Sequence, residues 1–282
     1  MRILITGAQG QLGTVLQQSL QKETLILKDL PEFDLTDPAC EEQIVSARPD
    51  AVIHAGAYTN VDGAEREPEK AMAVNAAGTA SVARAAQRSH ARLICISTDY
   101  VFDGEKTSPY VEEDRPNPVN VYGRSKREGE VAALQHCRNT LIVRTAWLYG
   151  YAGHNFVKSI MRLAAEKPEL DVVDDQRGCP TFAGDLAEAL AVLTKSGLQG
   201  ICHVTNTGEA TWHEFAEAIV RHMKVPVTVR PITTAQAGRP ARRPAYSVLA
   251  SRRFGTVRGR LPHWSDALGR FMESVASSSP AT

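Results

Sequence analysis

The chain has 282 residues, 43% of them hydrophobic and 23% charged, proportions that suit a folded globular protein and exclude a disordered one. Its 32 basic and 32 acidic residues cancel, which removes any broad electrostatic pull on nucleic acid, and no apolar run approaches the ~18 residues of a membrane span. Five widely spaced cysteines without a C-x-x-C pair, and eight histidines without ligand spacing, argue against a disulfide framework or a structural metal.

Short apolar runs and longer helical stretches alternate from the start. Arg2–Thr6 reads as a strand, Gln11–Gln21 as a helix and Thr24–Lys28 as a second strand. Asp37-Pro38 has the form of an N-cap followed by proline at the first helical position. Ala51–His54 is a third strand, Pro68–Arg88 a long alanine-rich helix, Arg92–Ser97 a fourth strand, Asn120–Gln135 a helix and Leu141–Thr145 a fifth strand. This rhythm predicts an α/β fold, a doubly wound parallel sheet with helices on both faces. Beyond Tyr149 it loosens. Asn155–Glu166, Ala183–Lys195, Trp212–His222 and Ser265–Val275 read as helices, with short strands at Leu170–Val173, Ile201–Val204 and Val227–Arg230. Pro226–Pro244 reads as an ordered loop and Ser277–Thr282 as a frayed tail. The N-terminus lacks the shape of a signal peptide, so the cytoplasm is the expected location.

Gly7-Ala8-Gln9-Gly10-Gln11-Leu12-Gly13 follows the first strand and opens the first helix. A pyrophosphate needs backbone N–H groups close to its oxygens and gains from a helix N-terminus. Gly7 serves the tight turn, Gly10 the close approach and Gly13 the packing of helix on strand. In this strand–turn–helix context the motif predicts a dinucleotide site. Asp29 ends the second strand where an acid would bond ribose hydroxyls, which favours NAD(H). Lys28 beside it could instead meet a 2′-phosphate, and the choice stays open. Asp34 and Leu35 follow as candidates to cover the adenine, and Ala55-Gly56-Ala57 is small enough for a ligand to pass close by.

Tyr122 and Lys126 lie at i, i+4 near the start of a helix and so share one face. An ammonium beside a phenol favours the phenolate, bringing the phenol into the range of general acid–base work. Thr98, just past the fourth strand, would face the same crevice outside the carboxyl ends of the strands. From Arg221 to Arg270 there are eleven Lys or Arg and one acid, Asp266. That stretch is either a solvated basic surface or one that faces an anionic ligand.

With these pieces in order the chain resembles the extended short-chain dehydrogenases/reductases, and within them the dTDP-4-dehydrorhamnose reductases. The match runs through Ala57-Tyr58-Thr59-Asn60-Val61-Asp62, Ser97-Thr98-Asp99-Tyr100-Val101-Phe102, Tyr122-Gly123-Arg124-Ser125-Lys126, Arg144-Thr145-Ala146-Trp147, Gly178-Cys179-Pro180-Thr181 and Arg242-Arg243-Pro244. The resemblance implies a Rossmann-type NAD(P)-binding domain over residues 1–149 and a smaller α/β substrate-binding lobe over 150–282, some segments of which return to the first domain. It implies reduction of the C4 keto group of dTDP-4-dehydro-L-rhamnose, with NADPH as cofactor and NADH as the alternative. Gly10, Gln11, Leu12, Asp29, Asp34, Leu35, Ala57, Tyr58 and Thr59 would touch the cofactor, Tyr122 would donate the proton and Lys126 would hold the nicotinamide ribose. Thr98 and Asp99 would flank the sugar of a dTDP-activated 4-keto-6-deoxysugar, Trp147 would lie against it or serve as a core aromatic, and Arg242 and Arg243 would meet the diphosphate.

The chain departs from the family in places. His54 stands where many relatives have asparagine. Some members bind Mg²⁺ between subunits through acids, at places where this chain has Val15 and Phe182-Ala183-Gly184. The expectation is therefore no metal and a monomer, with a weak homodimer as the alternative. Asp99 is followed by Tyr100 instead of the glutamate a 4,6-dehydratase needs. An epimerase, and a regulatory subunit of the kind that binds a methionine adenosyltransferase, remain as other readings. Cys179 is given no chemical role.

Overall fold

The structure is a computed structural model that describes residues 1–278. Its first half runs β1 (Arg2–Thr6), α1 (Gln11–Ser19), β2 (Thr24–Lys28), α2 (Cys40–Ala47), β3 (Ala51–His54), α3 (Val61–Arg66), α4 (Pro68–Met72), α5 (Thr79–Arg88), β4 (Arg92–Thr98), α6 (Val121–His136) and β5 (Thr140–Thr145). The second half adds β6 (Leu148–Tyr149), α7 (Phe156–Glu166), β7 (Glu169–Val173), β8 (Arg177–Gly178), β9 (Thr181–Phe182), α8 (Ala183–Lys195), β10 (Gly200–His203), β11 (Ala210–Thr211), α9 (Trp212–Met223), β12 (Thr228–Ile232), α10 (Thr234–Ala237), α11 (Arg252–Gly255) and α12 (Trp264–Ser278).

The central sheet has the order β10-β5-β4-β3-β1-β2, and all its pairings are parallel. A parallel sheet is covered on both faces, so its strands read as unbroken apolar runs. Successive residues still point to opposite faces. Ile3 and Ile5 pack with Leu12 and Leu16 of α1 and Leu186 and Leu190 of α8. Leu4 between them packs on the other face, with Ile44 of α2 and Val82 of α5. The sheet order reverses at β1, where α1 and α5 lie on opposite faces, so a crevice opens above the carboxyl ends of β1 and β3. The second lobe has its own core, in which Tyr149, Phe215 and Phe271 meet Val157 and Ile219.

Several expectations shift. The helix foreseen over Pro68–Arg88 is one rod with a widened π turn at Ala73–Gly78. There Asn75 turns inward, accepting from Tyr58 N at 2.8 Å and donating to Ser125 Oγ at 2.9 Å. Such π turns frequently mark functional sites. Asp37 does not cap α2; its carboxylate accepts from Ala39 N at 2.8 Å in a turn, and the helix begins at Cys40. Thr98 is the last residue of β4 and not a residue beyond it. Within Pro226–Pro244 the strand foreseen at Val227–Arg230 is present as β12, and the expected loop after it also carries the short helix α10. Pro231 is tolerated in β12 because that strand pairs on one side only, with β7. The last helix runs on through Ser278, so Ser277 is helical, and the rest of the expected tail, 279–282, lies outside the described residues. All five cysteines are free and buried. Among the described residues no helix is long and apolar enough to cross a membrane, and no three His, Cys, Asp or Glu are grouped to hold a metal ion.

Candidate active site

A cavity of roughly 680 Å³ occupies the crevice. Gly7, at φ +67°, begins its floor, and a Cβ there would lie 2.7 Å from Gly56 Cα. A Cβ on Gly13 would lie 2.1 Å from the Gly7 carbonyl. Both glycines are thus required by backbone crowding. Gly10 is the N-cap of α1 and makes no side-chain cap, so the first N–H groups of the helix stay open to a ligand. Gly10, Gln11 and Leu12 line the cavity, whereas Gly13 packs behind them.

On the adenosine side Asp29, Asp34 and Leu35 line the wall. The Asp29 carboxylate accepts from Gln9 N at 2.6 Å and Leu30 N at 2.8 Å, bracing the glycine turn. The backbone and hydroxyl of Thr36 hold the Asp34 carboxyl below its usual pKa. Lys28, the candidate for a 2′-phosphate, donates instead to Gln43 Oε1 at 3.0 Å and lies over the Phe33 ring. Ala55, Ala57 and Thr59 form the opposite wall. Tyr58 is not on it, because its hydroxyl turns out to donate to Glu67 at 2.8 Å. A glycine floor that no Cβ would fit, with open N–H groups at a helix start, fits a dinucleotide pyrophosphate.

At the other end Thr98, Asp99, Tyr122 and Lys126 share the cavity. Asn120 caps α6, its Oδ1 accepting from Gly123 N at 2.7 Å. A Cβ at Gly123 would lie 2.1 Å from the Tyr100 carbonyl, so the glycine lets the helix start press against β4's extension. The Tyr122 ring also meets Tyr100 edge-on, at 5.8 Å between centroids. Burial pushes the Tyr122 phenol up to about 12, with the Thr98 hydroxyl drawing it back and Asp99 adding to the rise. The expected depression by Lys126 is not what the geometry provides. Its Nζ donates to the Ile96 carbonyl at 2.7 Å, and burial lowers its own pKa. Asp99 is buried, accepts from Thr98 Oγ1 at 3.1 Å and Ser247 Oγ at 2.6 Å, and is pushed up to about 6 by burial. His54 bridges Thr6 Oγ1 at 2.7 Å and Thr79 Oγ1 at 3.0 Å and is held down to about 3 by burial and the Lys126 charge. It is a neutral strut between β1 and α5.

Trp147, just past β5 and packed against the core of the second lobe, lines the cavity with its backbone at φ +47°. Its ring stacks on Trp212 at 3.5 Å and 4°, and a side chain at Gly178 would collide with it. The two arginines part company. Arg243 forks onto Asp62, with 3.1 and 3.0 Å bonds, and does not line the cavity. Arg242 is exposed, also off the cavity wall, and its main-chain carbonyl accepts from Asn120 Nδ2 at 2.8 Å.

Sequence reasoning missed the support behind these groups. Glu130, four residues after Lys126, accepts from Ser97 at 2.7 Å and from Arg144 at 2.7 and 2.8 Å, both charges fully buried. Its i+4 spacing from Lys126 was the available signal. Ser247 and Asp62 carried none, because their partners are distant in sequence.

Fold and site together define an extended short-chain dehydrogenase/reductase. The family model described as the RmlD substrate binding domain matches residues 1–277, and the chain belongs to that family, the dTDP-4-dehydrorhamnose reductases. It is 43% identical to the dTDP-4-dehydrorhamnose reductase of Mycobacterium tuberculosis, over 98% of this chain and 94% of that protein. It is 41% identical to the probable dTDP-4,6-dihydroxy-2-methyloxan-3-one 4-ketoreductase of Streptomyces antibioticus, over 100% and 98% of the two chains. The crystal structure of dTDP-4-dehydrorhamnose reductase from Bacillus anthracis in complex with NADP superposes with a TM-score of 0.94 at 40% identity, covering 97% of this chain and 99% of that one.

Proposed function

We propose that this protein uses NADPH to reduce the C4 keto group of dTDP-4-dehydro-L-rhamnose, forming dTDP-L-rhamnose. The observation that carries the reading is the convergence of Thr98, Tyr122 and Lys126 on the cavity that begins at the Gly7–Gly10 turn. Residues 1–149 hold the cofactor and the lobe within 150–282 holds the sugar nucleotide. When bound, NADPH brings a hydride for the sugar carbonyl carbon.

The residues supply the rest. The glycine turn and the start of α1 take the pyrophosphate, Asp29, Asp34 and Leu35 face the adenosine half, and Lys126 holds the nicotinamide ribose. A phenol whose pKa stands near 12 keeps its proton at neutral pH, which is the form a reduction needs. Negative charge develops on the C4 oxygen, the Thr98 hydroxyl bonds it, and Tyr122 gives up its proton there. Trp147, locked against Trp212, bounds the sugar, and Arg242 takes the diphosphate.

Val15 and Phe182 are buried in the two cores, which supports a monomer without an intersubunit metal. Five free, buried cysteines suit the reducing cytoplasm. The test is NADPH oxidation against a panel of dTDP- and UDP-linked 4-keto-6-deoxyhexoses. Turnover with dTDP-4-dehydro-L-rhamnose is expected, and no oxidation with any member of the panel would refute the reading.

A further inference from the structure

Asp62 stands in the first turn of α3. Its carboxylate gathers four donors from a single short segment of the second half. Arg239 Nη1 lies at 3.4 Å, Ala241 N at 3.2 Å, and the Arg243 fork at 3.1 and 3.0 Å. The Asp62 and Arg243 side chains are only 17% and 15% exposed, against 65% for Arg239. Water screens the Arg243 pair little, and that pair dominates.

The same segment is tied down twice more. Asn120, the cap of the helix that bears Tyr122, donates to the Arg242 carbonyl at 2.8 Å. Pro244 sits where a Cβ on Gly104 would lie, 2.5 Å away. Between these ties one guanidinium is left over. Arg242 is exposed, and among the described residues its side chain has no partner. Arg243 is turned inward, its N–H groups taken up by Asp62, the Ala241 carbonyl and the Tyr100 hydroxyl, so it is committed away from an incoming anion.

We propose that Asp62 is a positioning residue: by holding Arg243 it fixes the 239–244 segment so that the Arg242 guanidinium is presented to the diphosphate of the sugar nucleotide. The adjacent arginines thus divide the work, one as an anchor and one as a ligand group. This rests on the reductase reading above. Because Asp62 does not line the cavity and its bonds run to the 239–243 segment, its effect reaches the nucleotide half of the substrate and bypasses the NADPH half.

The experiment measures dTDP and NADPH affinities separately, by calorimetry, on the full chain. Asp62→Asn is expected to weaken dTDP about tenfold, as loss of a presented charge does, and to leave NADPH affinity within about twofold. In steady-state assays the loss falls mainly on KM for the sugar nucleotide. Arg242→Ala weakens dTDP to a similar degree, and adding Asp62→Asn to it costs little more, since both changes remove one interaction. A general loosening of the fold would instead weaken both ligands and add up. If Asp62→Asn does not fold, Arg243→Lys, which keeps the charge and loses the fork, is expected to weaken dTDP about threefold. Unchanged dTDP affinity in the folded variants, fully additive losses, or a wild type that binds no dTDP would each overturn the proposal. A wild type that binds dTDP but reduces no 4-keto sugar would overturn the reductase reading and leave the positioning role standing.

Discussion

Lys126 places a buried charge where His54 feels it, whereas Tyr122, one turn earlier on the same helix, answers to other groups. Tyr122 is set by enclosure and by Thr98, so it rests as a phenol. Tyr122→Phe removes the proton and keeps the ring, and turnover should fall by ~10²-fold or more while NADPH still binds. A fluorescence titration beside the rate assay checks both halves, and near-normal turnover would take Tyr122 out of the mechanism. His54 is depressed from 6.5 to about 3. In the interval between those values the unfolded chain holds a proton that the native one refuses. The stability that neutral His54 contributes is therefore complete above pH 6.5 and is lost as pH falls toward 3. Relative to His54→Asn, wild-type stability should decline by up to about 1.4 kcal/mol per pH unit across that window. Denaturant melts at several pH values report it, and parallel curves for the two proteins would contradict it.

Helix α6 shows how an element delivers chemistry. Asn120 caps it, Tyr122 and Lys126 occupy one face, and Glu130 fastens it to Arg144 of β5 and Ser97 of β4. Glu130→Gln would leave the Arg144 charge in the core without its counter-charge, a loss of about 3–5 kcal/mol. A drop that large in chemical denaturation, with α6 loosened first in hydrogen exchange, is the expected result. A change under about 1 kcal/mol would mean that the pair is not what secures the helix. The elements that were legible in the sequence are those with a long enough period. β1 and β3 were read to the residue because both sheet faces demand apolar side chains, and β2, the half-exposed edge strand, from its apolar run between polar ends. The two-residue strands β6, β8, β9 and β11 carry no period at all. The glycine turn, Thr98, Tyr122 and Lys126 announced themselves through spacing. That Arg243 would be spent on Asp62, 181 residues away, depends on the tertiary fold and left no local mark. Tyr58 read as a cofactor contact because it adjoins such contacts in sequence, yet its hydroxyl turns to Glu67, while Gly13 packs beneath the turn as its place in the motif implies.

The two halves of the chain interlock and are not strung end to end. α8 packs against α1, and β10 extends the central sheet beside β5. Cooperative unfolding in a single transition is therefore expected, and NADPH at a hundredfold excess over its Kd should raise stability by about 2.7 kcal/mol. Two resolved calorimetric transitions would show that the halves melt independently. The interlocking also matters before the protein is finished. Leu141 of β5 waits for its neighbour Gly200, so a growing chain displays the bare margin of β5 until the sixth strand leaves the ribosome. Margins of that kind recruit other strands. The vulnerable moment in the life of this enzyme falls during its synthesis, when the sheet is five strands wide and β5, wholly buried in the finished protein, is its margin.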